Sequence, residues 1–133
     1  MSGLTYDAGA LIAAERGERR MWLIHQRALM RGVRPVVPAC VLVEVYRSAR
    51  QADLGRLLRG CQVDSLDERT AKAAGTLLGR RATDPGDAKD PGAVDASVAE
   101  GALRRGDAVV SGNASRLRAL ADGVHRTVDV IPV

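Results

Sequence analysis

The chain has 133 residues, a formal net charge of +4, and 46% hydrophobic against 27% charged residues. That balance is ordinary for one globular domain over residues 1–133 and excludes a disordered, collagen-like or low-complexity chain. Only Tyr6, Trp22 and Tyr46 are aromatic, so the core is expected to be built from Ala, Val, Leu and Ile, and a surface that stacks nucleotide bases on rings is not expected.

Of the 20 basic residues all but Lys72 and Lys89 are Arg, which favours contact with a polyanion. No segment reaches the roughly 18 apolar residues of a membrane span, and no basic stretch followed by an apolar run opens the chain; a cytoplasmic protein without membrane contact is expected. Cys40 and Cys61 form no CxxC pair and do not stand at ligand spacing from His25 or His125. Neither a zinc site nor a disulfide framework follows, and both are expected to be buried thiols.

In chain order, short apolar runs at residues 3–7, 35–37, 61–66, 108–111 and 127–132 read as strands. Helix-period segments fall between them at 8–14, 18–30, 38–48, 52–59, 67–80, 93–105 and 115–121. The first two helices are expected to form a hairpin around Gly17, with Trp22, Leu23, Leu29 and Met30 as the apolar stripe of the second. Pro38 suits a first helical position. Segment 52–59 reads as a short continuation of the helix before it. Asp67 and Glu68 lead their helix and Arg80 and Arg81 close it, the charge order a helix dipole prefers. Pro85, Gly86, Pro91 and Gly92 make 83–92 a loop. Strands alternating with helices predict an α/β domain with a central, mostly parallel sheet of about five strands.

Four polar positions fall at strand ends or on a helix facing them, where such folds carry their functional groups: Asp7, Glu44, Asp95 and Asn113. Asp7 follows the first strand and serves either as a helix N-cap or as a ligand. Glu44 sits within Val41-Leu42-Val43-Glu44-Val45-Tyr46, among side chains that favour the core, and so calls for a cation: a metal, or Arg47 one turn on. Asp95 opens a helix of small residues, and Asn113, after Val109-Val110-Ser111-Gly112, caps the last helix or offers a neutral oxygen. Three carboxylates converging on one cleft would repel without a divalent cation, and hard oxygen donors select Mg2+ or Mn2+. Metal-activated water attacking a phosphate is the matching chemistry.

The blocks Leu4-Thr5-Tyr6-Asp7-Ala8-Gly9, Pro38-Ala39-Cys40-Val41-Leu42-Val43-Glu44, Val94-Asp95-Ala96-Ser97 and Asp107-Ala108-Val109-Val110-Ser111-Gly112-Asn113 resemble, in order and spacing, those of a PIN-domain ribonuclease, specifically a VapC-type toxin of a toxin–antitoxin pair. The resemblance covers nearly the whole chain. It implies a PIN-like three-layer fold, a Mg2+- or Mn2+-dependent endoribonuclease acting on RNA, a homodimer, and neutralisation by a cognate VapB-type antitoxin. Asp7, Glu44 and Asp95 match the first three acidic positions, with Asp7 and Asp95 as metal ligands. The chain departs from the pattern twice: Asn113 stands where many members have Asp, and Gly9 where a hydroxyl residue is often found. A PIN-like module that binds RNA or antitoxin but cuts poorly is the alternative.

Arg16, Arg19 and Arg47 are the expected RNA-backbone contacts, because their segments are expected to adjoin the acidic cleft. The acids of residues 84–90 lack the spacing and the final Glu of an EF-hand loop. No GxGxxG, Walker A or GxSxG sequence occurs, so dinucleotide, nucleoside-triphosphate and serine-hydrolase chemistry lose their usual signatures. His25 and His125 are expected to be structural.

Overall fold

The computed structural model describes residues 3–84, 86–87 and 89–133. Five strands form one all-parallel sheet: β1 Leu4–Tyr6, β2 Val36–Pro38, β3 Gln62–Asp64, β4 Ala108–Ser111 and β5 Val130–Pro132, in the order β3-β2-β1-β4-β5. Seven helices connect them: α1 Ala8–Glu15, α2 Arg19–Met30, α3 Ala39–Val45, α4 Ala52–Arg59, α5 Glu68–Gly79, α6 Ala93–Arg105 and α7 Ala114–Asp122. The chain winds outward from β1 to β3, crosses back to β4 and ends at β5. Right-handed crossovers therefore put α1–α4 on one face of the sheet and α5–α7 on the other. Contacts agree, since α1 packs on α2, α3 and α4 while α6 packs on α5 and α7.

The core is aliphatic, as the scarcity of rings requires. Leu11, Leu54, Leu57, Val37, Val109, Val110, Leu117 and Leu120 are essentially inaccessible. Each such side chain stabilises the fold by about 1.5–3 kcal/mol relative to exposure. Tyr6 is the one buried ring of the sheet, and its hydroxyl meets buried His25 Nδ1 at 3.0 Å, so His25 is indeed a structural residue. Burial lowers the His25 pKa and raises those of Tyr6 and Cys61, the thiol to about 12.

Several expected boundaries shift for local reasons. The buried face of α2 is Met21, His25 and Ala28, not the expected stripe: Trp22 is half-buried, Leu23 and Leu29 are exposed, and Met30 is 80% exposed. The helix turns its polar-looking His inward because Tyr6 supplies a buried partner. Helix α3 stops at Val45, three residues short of the expected end, because Gln51 pins the turn that follows. Its side chain accepts from the N–H groups of Arg47 and Ser48 at 2.6 and 3.0 Å and donates to the Val45 carbonyl at 3.0 Å and to Glu15 at 2.7 Å. Segment 52–59 is thus a separate helix. Pro38 ends β2 and occupies the N-cap position of α3 rather than its first turn. The hairpin turn lies at Gly17, whose φ of +73° suits glycine. Within the expected loop, Pro85 and Ala88 lie outside the described residues. No described helix is long and apolar enough to cross a membrane.

Candidate functional site

Strand order reverses direction between β1 and β4: the connection after β1 leads to one side of the sheet and that after β4 to the other. A crevice outside the carboxyl ends of such a pair is where α/β folds bind ligands. A cavity of about 230 Å³ opens there, and Asp7, Glu44, Asp95, Asn113 and Arg116 line it.

Asp7 follows β1 directly and is pinned from both sides. Its N–H donates to the Val110 carbonyl at 3.2 Å, one carboxylate oxygen accepts from the Ala10 N–H at 3.0 Å as the N-cap of α1, and the other accepts from the Ser111 hydroxyl. Burial raises its pKa and the nearby charge of Asp95 adds to the effect, against the hydrogen bonds from Ser111, Ala10 and Gly112. The N-cap reading thus holds, one oxygen serving the helix while the carboxylate lines the cavity.

Asp95 sits in the first turn of α6, where its Oδ2 accepts the Gly92 N–H at 2.9 Å. Its carboxylate is one-quarter exposed and lies 3.9 Å from a guanidinium nitrogen of Arg116. Glu44 faces the cavity from α3 but is exposed, contrary to its apolar sequence context, because α3 turns Val41 and Val45 to the core and Val43 and Glu44 to solvent. The alternative of a side-chain pair with Arg47 is not what forms: that guanidinium donates to the Val43, Tyr46 and Glu44 main-chain carbonyls at 3.1, 3.0 and 2.8 Å, closing the end of α3.

Asn113 occupies the N-cap position of α7, yet its side chain makes no capping bond to the helix; the Ser115 hydroxyl donates to its Oδ1 at 3.1 Å. Ser111 organises the loop instead, its hydroxyl reaching Asp7 while its oxygen accepts the Asn113 N–H at 2.8 Å. Among the described residues no group of three or more His, Cys, Asp or Glu side chains gathers as a metal-holding cluster. Glu44 shares the cavity with Asp7 and Asp95 without closing on them.

Of the expected RNA contacts, none lines this cavity. Arg16 lies past the far end of α1, about 13 Å of helix from Asp7. Arg19 borders a separate basic hollow on α2 with Arg20 and Arg27, and Arg47 is spent on α3. The segment of Arg16 does begin at the cleft, with Ala8 and Gly9 of α1 lining it, while Arg16 itself lies past the far end of that helix. Ser111 and Arg116 are the residues sequence reasoning undervalued. Their signals were present: a hydroxyl ending an apolar strand, and a cation in the first turn of a helix, where the dipole disfavours one. Gly9 also finds its reason here, since a Cβ on it would stand 2.7 Å from the Gly112 backbone nitrogen.

No protein-family model matches the sequence and no curated protein matches it. Among solved structures, a chain in the crystal structure of VapBC2 from Rickettsia felis bound to a DNA fragment from their promoter is similar to it, with a TM-score of 0.65 over 97% of both chains and 13% sequence identity. The chain has a PIN-like fold. At that identity the likeness speaks for the architecture, with five parallel strands between two helical layers, and the PIN-like chain's chemistry rests on its own cavity.

Proposed function

We propose that this PIN-like chain is a metal-dependent endoribonuclease toxin held in check by a cognate antitoxin. The observation that carries the reading is that Asp7, Glu44 and Asp95, from three separate elements, line one cavity at the β1/β4 switch point. The donor chemistry fits a hard divalent cation, Mg2+ or Mn2+. Asp7 and Asp95 are near enough for the charge of one to oppose ionisation of the other, and burial opposes it further; a shared cation offsets both costs. Asp7 and Asp95 would hold it, with Asn113 as an auxiliary oxygen donor. The chemistry it supplies when bound is activation of water and neutralisation of charge on a phosphate.

The protein's own part is positional. Ala10 and Ser111 fix the Asp7 carboxylate, and Gly92 fixes that of Asp95. Glu44, on the exposed side, would orient a water and accept its proton. For the partner, exposed Leu23, Leu29 and Met30 leave apolar side chains of α2 uncovered beside Arg19, Arg20 and Arg27, which suits a VapB-type antitoxin, and the similarity to a chain of a VapBC2 complex supports the same partner. A homodimer belongs to this reading as well.

One observation favours a second reading, binding without efficient cutting: no third acid closes on Asp7 and Asp95 among the described residues. Cleavage of RNA with Mn2+ decides between them. The wild type is expected to cut only with the metal and Asp7→Asn not to cut at all; intact RNA with wild-type protein at saturating Mn2+ supports the binding module instead.

A further inference from the structure

Resting on the ribonuclease reading, we infer that the hollow of Arg19, Arg20 and Arg27 on α2 seats the RNA backbone where it leaves the acidic cavity. A polyanion gains little from the cavity's own charges: Asp7, Glu44 and Asp95 line it, and Arg116 there is already engaged with Asp95. The hollow, of about 320 Å³, has the opposite character, three arginine side chains around aliphatic Leu23 and Ile24. Among the described residues no carboxylate pairs with Arg19, Arg20 or Arg27. Arg19 and Arg20 stand in the first turn of α2, where the helix dipole disfavours cations and no acid offsets them. Helix stability therefore does not account for them. The hollow is also tied to the sheet edge that carries the cavity. The Arg20 Nε–H donates to the Pro132 carbonyl at 2.9 Å, Pro132 of β5 is paired with Ser111 of β4, and the Ser111 hydroxyl holds Asp7 at the end of β1. Neighbouring strands lie about 4.8 Å apart, so two spacings, about 10 Å, separate Asp7 from Pro132. Stacked nucleotides advance about 3.4 Å each, so roughly three of them bridge cavity and hollow. From there Arg19 and Arg27, about 12 Å apart along α2, continue the track, each planar guanidinium matching two phosphate oxygens at once.

The test uses a fluorescein-labelled single-stranded RNA long enough to span both places, in Ca2+ buffer at times when gels show it intact, with affinity read by anisotropy over a salt series. Arg19→Gln/Arg27→Gln should weaken binding roughly tenfold or more, the loss of two charge-assisted contacts, and lower the slope of log affinity against log salt by about 1.4, at about 0.7 per phosphate contact on a single strand. Arg19→Lys/Arg27→Lys should keep the slope and lose part of the affinity. Arg69→Gln/Arg80→Gln removes the same charge from exposed positions on and just after α5, across the sheet, and should change both quantities far less. With Mn2+, the loss in kcat/KM of Arg19→Gln/Arg27→Gln should be carried by KM, because contacts remote from the reacting atoms are made equally in ground and transition states. Unchanged RNA affinity and slope in that variant overturns the inference and leaves the hollow to a protein partner. So do equal losses in Arg69→Gln/Arg80→Gln, which would reduce the effect to net charge. If wild type neither binds the RNA nor cuts it with Mn2+, the ribonuclease reading fails and this inference with it; wild-type cleavage with an indifferent Arg19→Gln/Arg27→Gln fails the inference alone.

Discussion

Asp7 concentrates the conflict between folding and chemistry in one side chain. Its hydrogen bonds to Ala10 and Ser111 favour the carboxylate, yet burial and the charge of Asp95 outweigh them and raise its pKa. The folded chain therefore holds this proton more tightly than the unfolded one, so the Asp7 charge costs stability as pH rises past the ordinary aspartate value of 3.8 through the raised one. Asp7→Asn keeps a side-chain oxygen for the Ala10 N–H and removes the charge. It is expected to melt higher than wild type at pH 7 in metal-free buffer, with the gap closing as pH falls below the aspartate range; scanning calorimetry over pH 3–7 reads both, and a lower melting point at pH 7 contradicts the assignment. Gly9 is the neighbouring constraint. A Cβ there meets the Gly112 nitrogen at 2.7 Å and Cα at 2.9 Å, backbone atoms that cannot swing aside, so placing a hydroxyl at this position with Gly9→Ser should cost about 1–3 kcal/mol of stability. Equal denaturant midpoints for wild type and Gly9→Ser would show that the loop yields.

At the scale of elements, the helix ends separate residues that look alike in sequence. Asp67 and Asn113 both stand before a helix, but only Asp67 caps: its carboxylate accepts the Thr70 N–H at 2.8 Å and the Thr70 hydroxyl reaches back, whereas the Asn113 side chain makes no bond to α7. Side-chain type and position predict a cap in both places; the three-residue spacing to Thr70 makes one and the pull of Ser111 on the Asn113 backbone prevents the other. The same loop yields a paired prediction. Ser111→Ala removes the hydroxyl that joins the end of β4 to Asp7 and accepts the Asn113 N–H, all in a buried setting, and is expected to cost about 1–3 kcal/mol. Asn113→Ala should change stability by less than about 0.5 kcal/mol. Urea midpoints at constant slope compare them, and the reverse ranking would restore Asn113 as the cap. Element ends placed by pattern alone fail where a distant side chain decides, as Gln51 does for α3 and Tyr6 does for the inward turn of His25.

For the whole molecule, alternation of strands and helices was enough to place the five strands and every helical segment among the described residues, though it joined α4 to α3, because a short apolar run next to a 3.6-residue period leaves few alternatives. That Asp7, Glu44 and Asp95 line one cavity was legible for a related reason: Asp7 follows the end of β1, and the helices carrying Glu44 and Asp95 reach the same edge of the sheet. Arg116 was not, since which first-turn residue faces a cavity depends on how α7 rolls on α6. Nor was the network that ties the layers together. Arg105, at the end of α6, donates to Asp64 at 2.6 Å, to Asp107 at 3.0 Å and to Thr5 at 3.0 Å, linking β3, the approach to β4 and β1. Gly101 leaves it room, as a Cβ there would meet the guanidinium at 2.8 Å. The Asp107 carboxylate is 6% exposed while that of Asp64 is 33%, so the buried half of the network matters most. Arg105→Met strands Asp107 with the Thr5 hydroxyl as its remaining partner, 2.8 Å away. A fully buried pair broken this way costs 3–5 kcal/mol, and exposure of the Asp64 arm reduces that to about 2 kcal/mol here. Adding Asp107→Asn should recover part of the loss, a coupling beyond roughly 0.5 kcal/mol in a double-mutant cycle. None of these residues lines the acidic cavity, so metal-dependent cleavage measured well below the melting temperature should stay at the wild-type rate. Additive effects of the two substitutions would mean that solvent, not Asp107, satisfies Arg105.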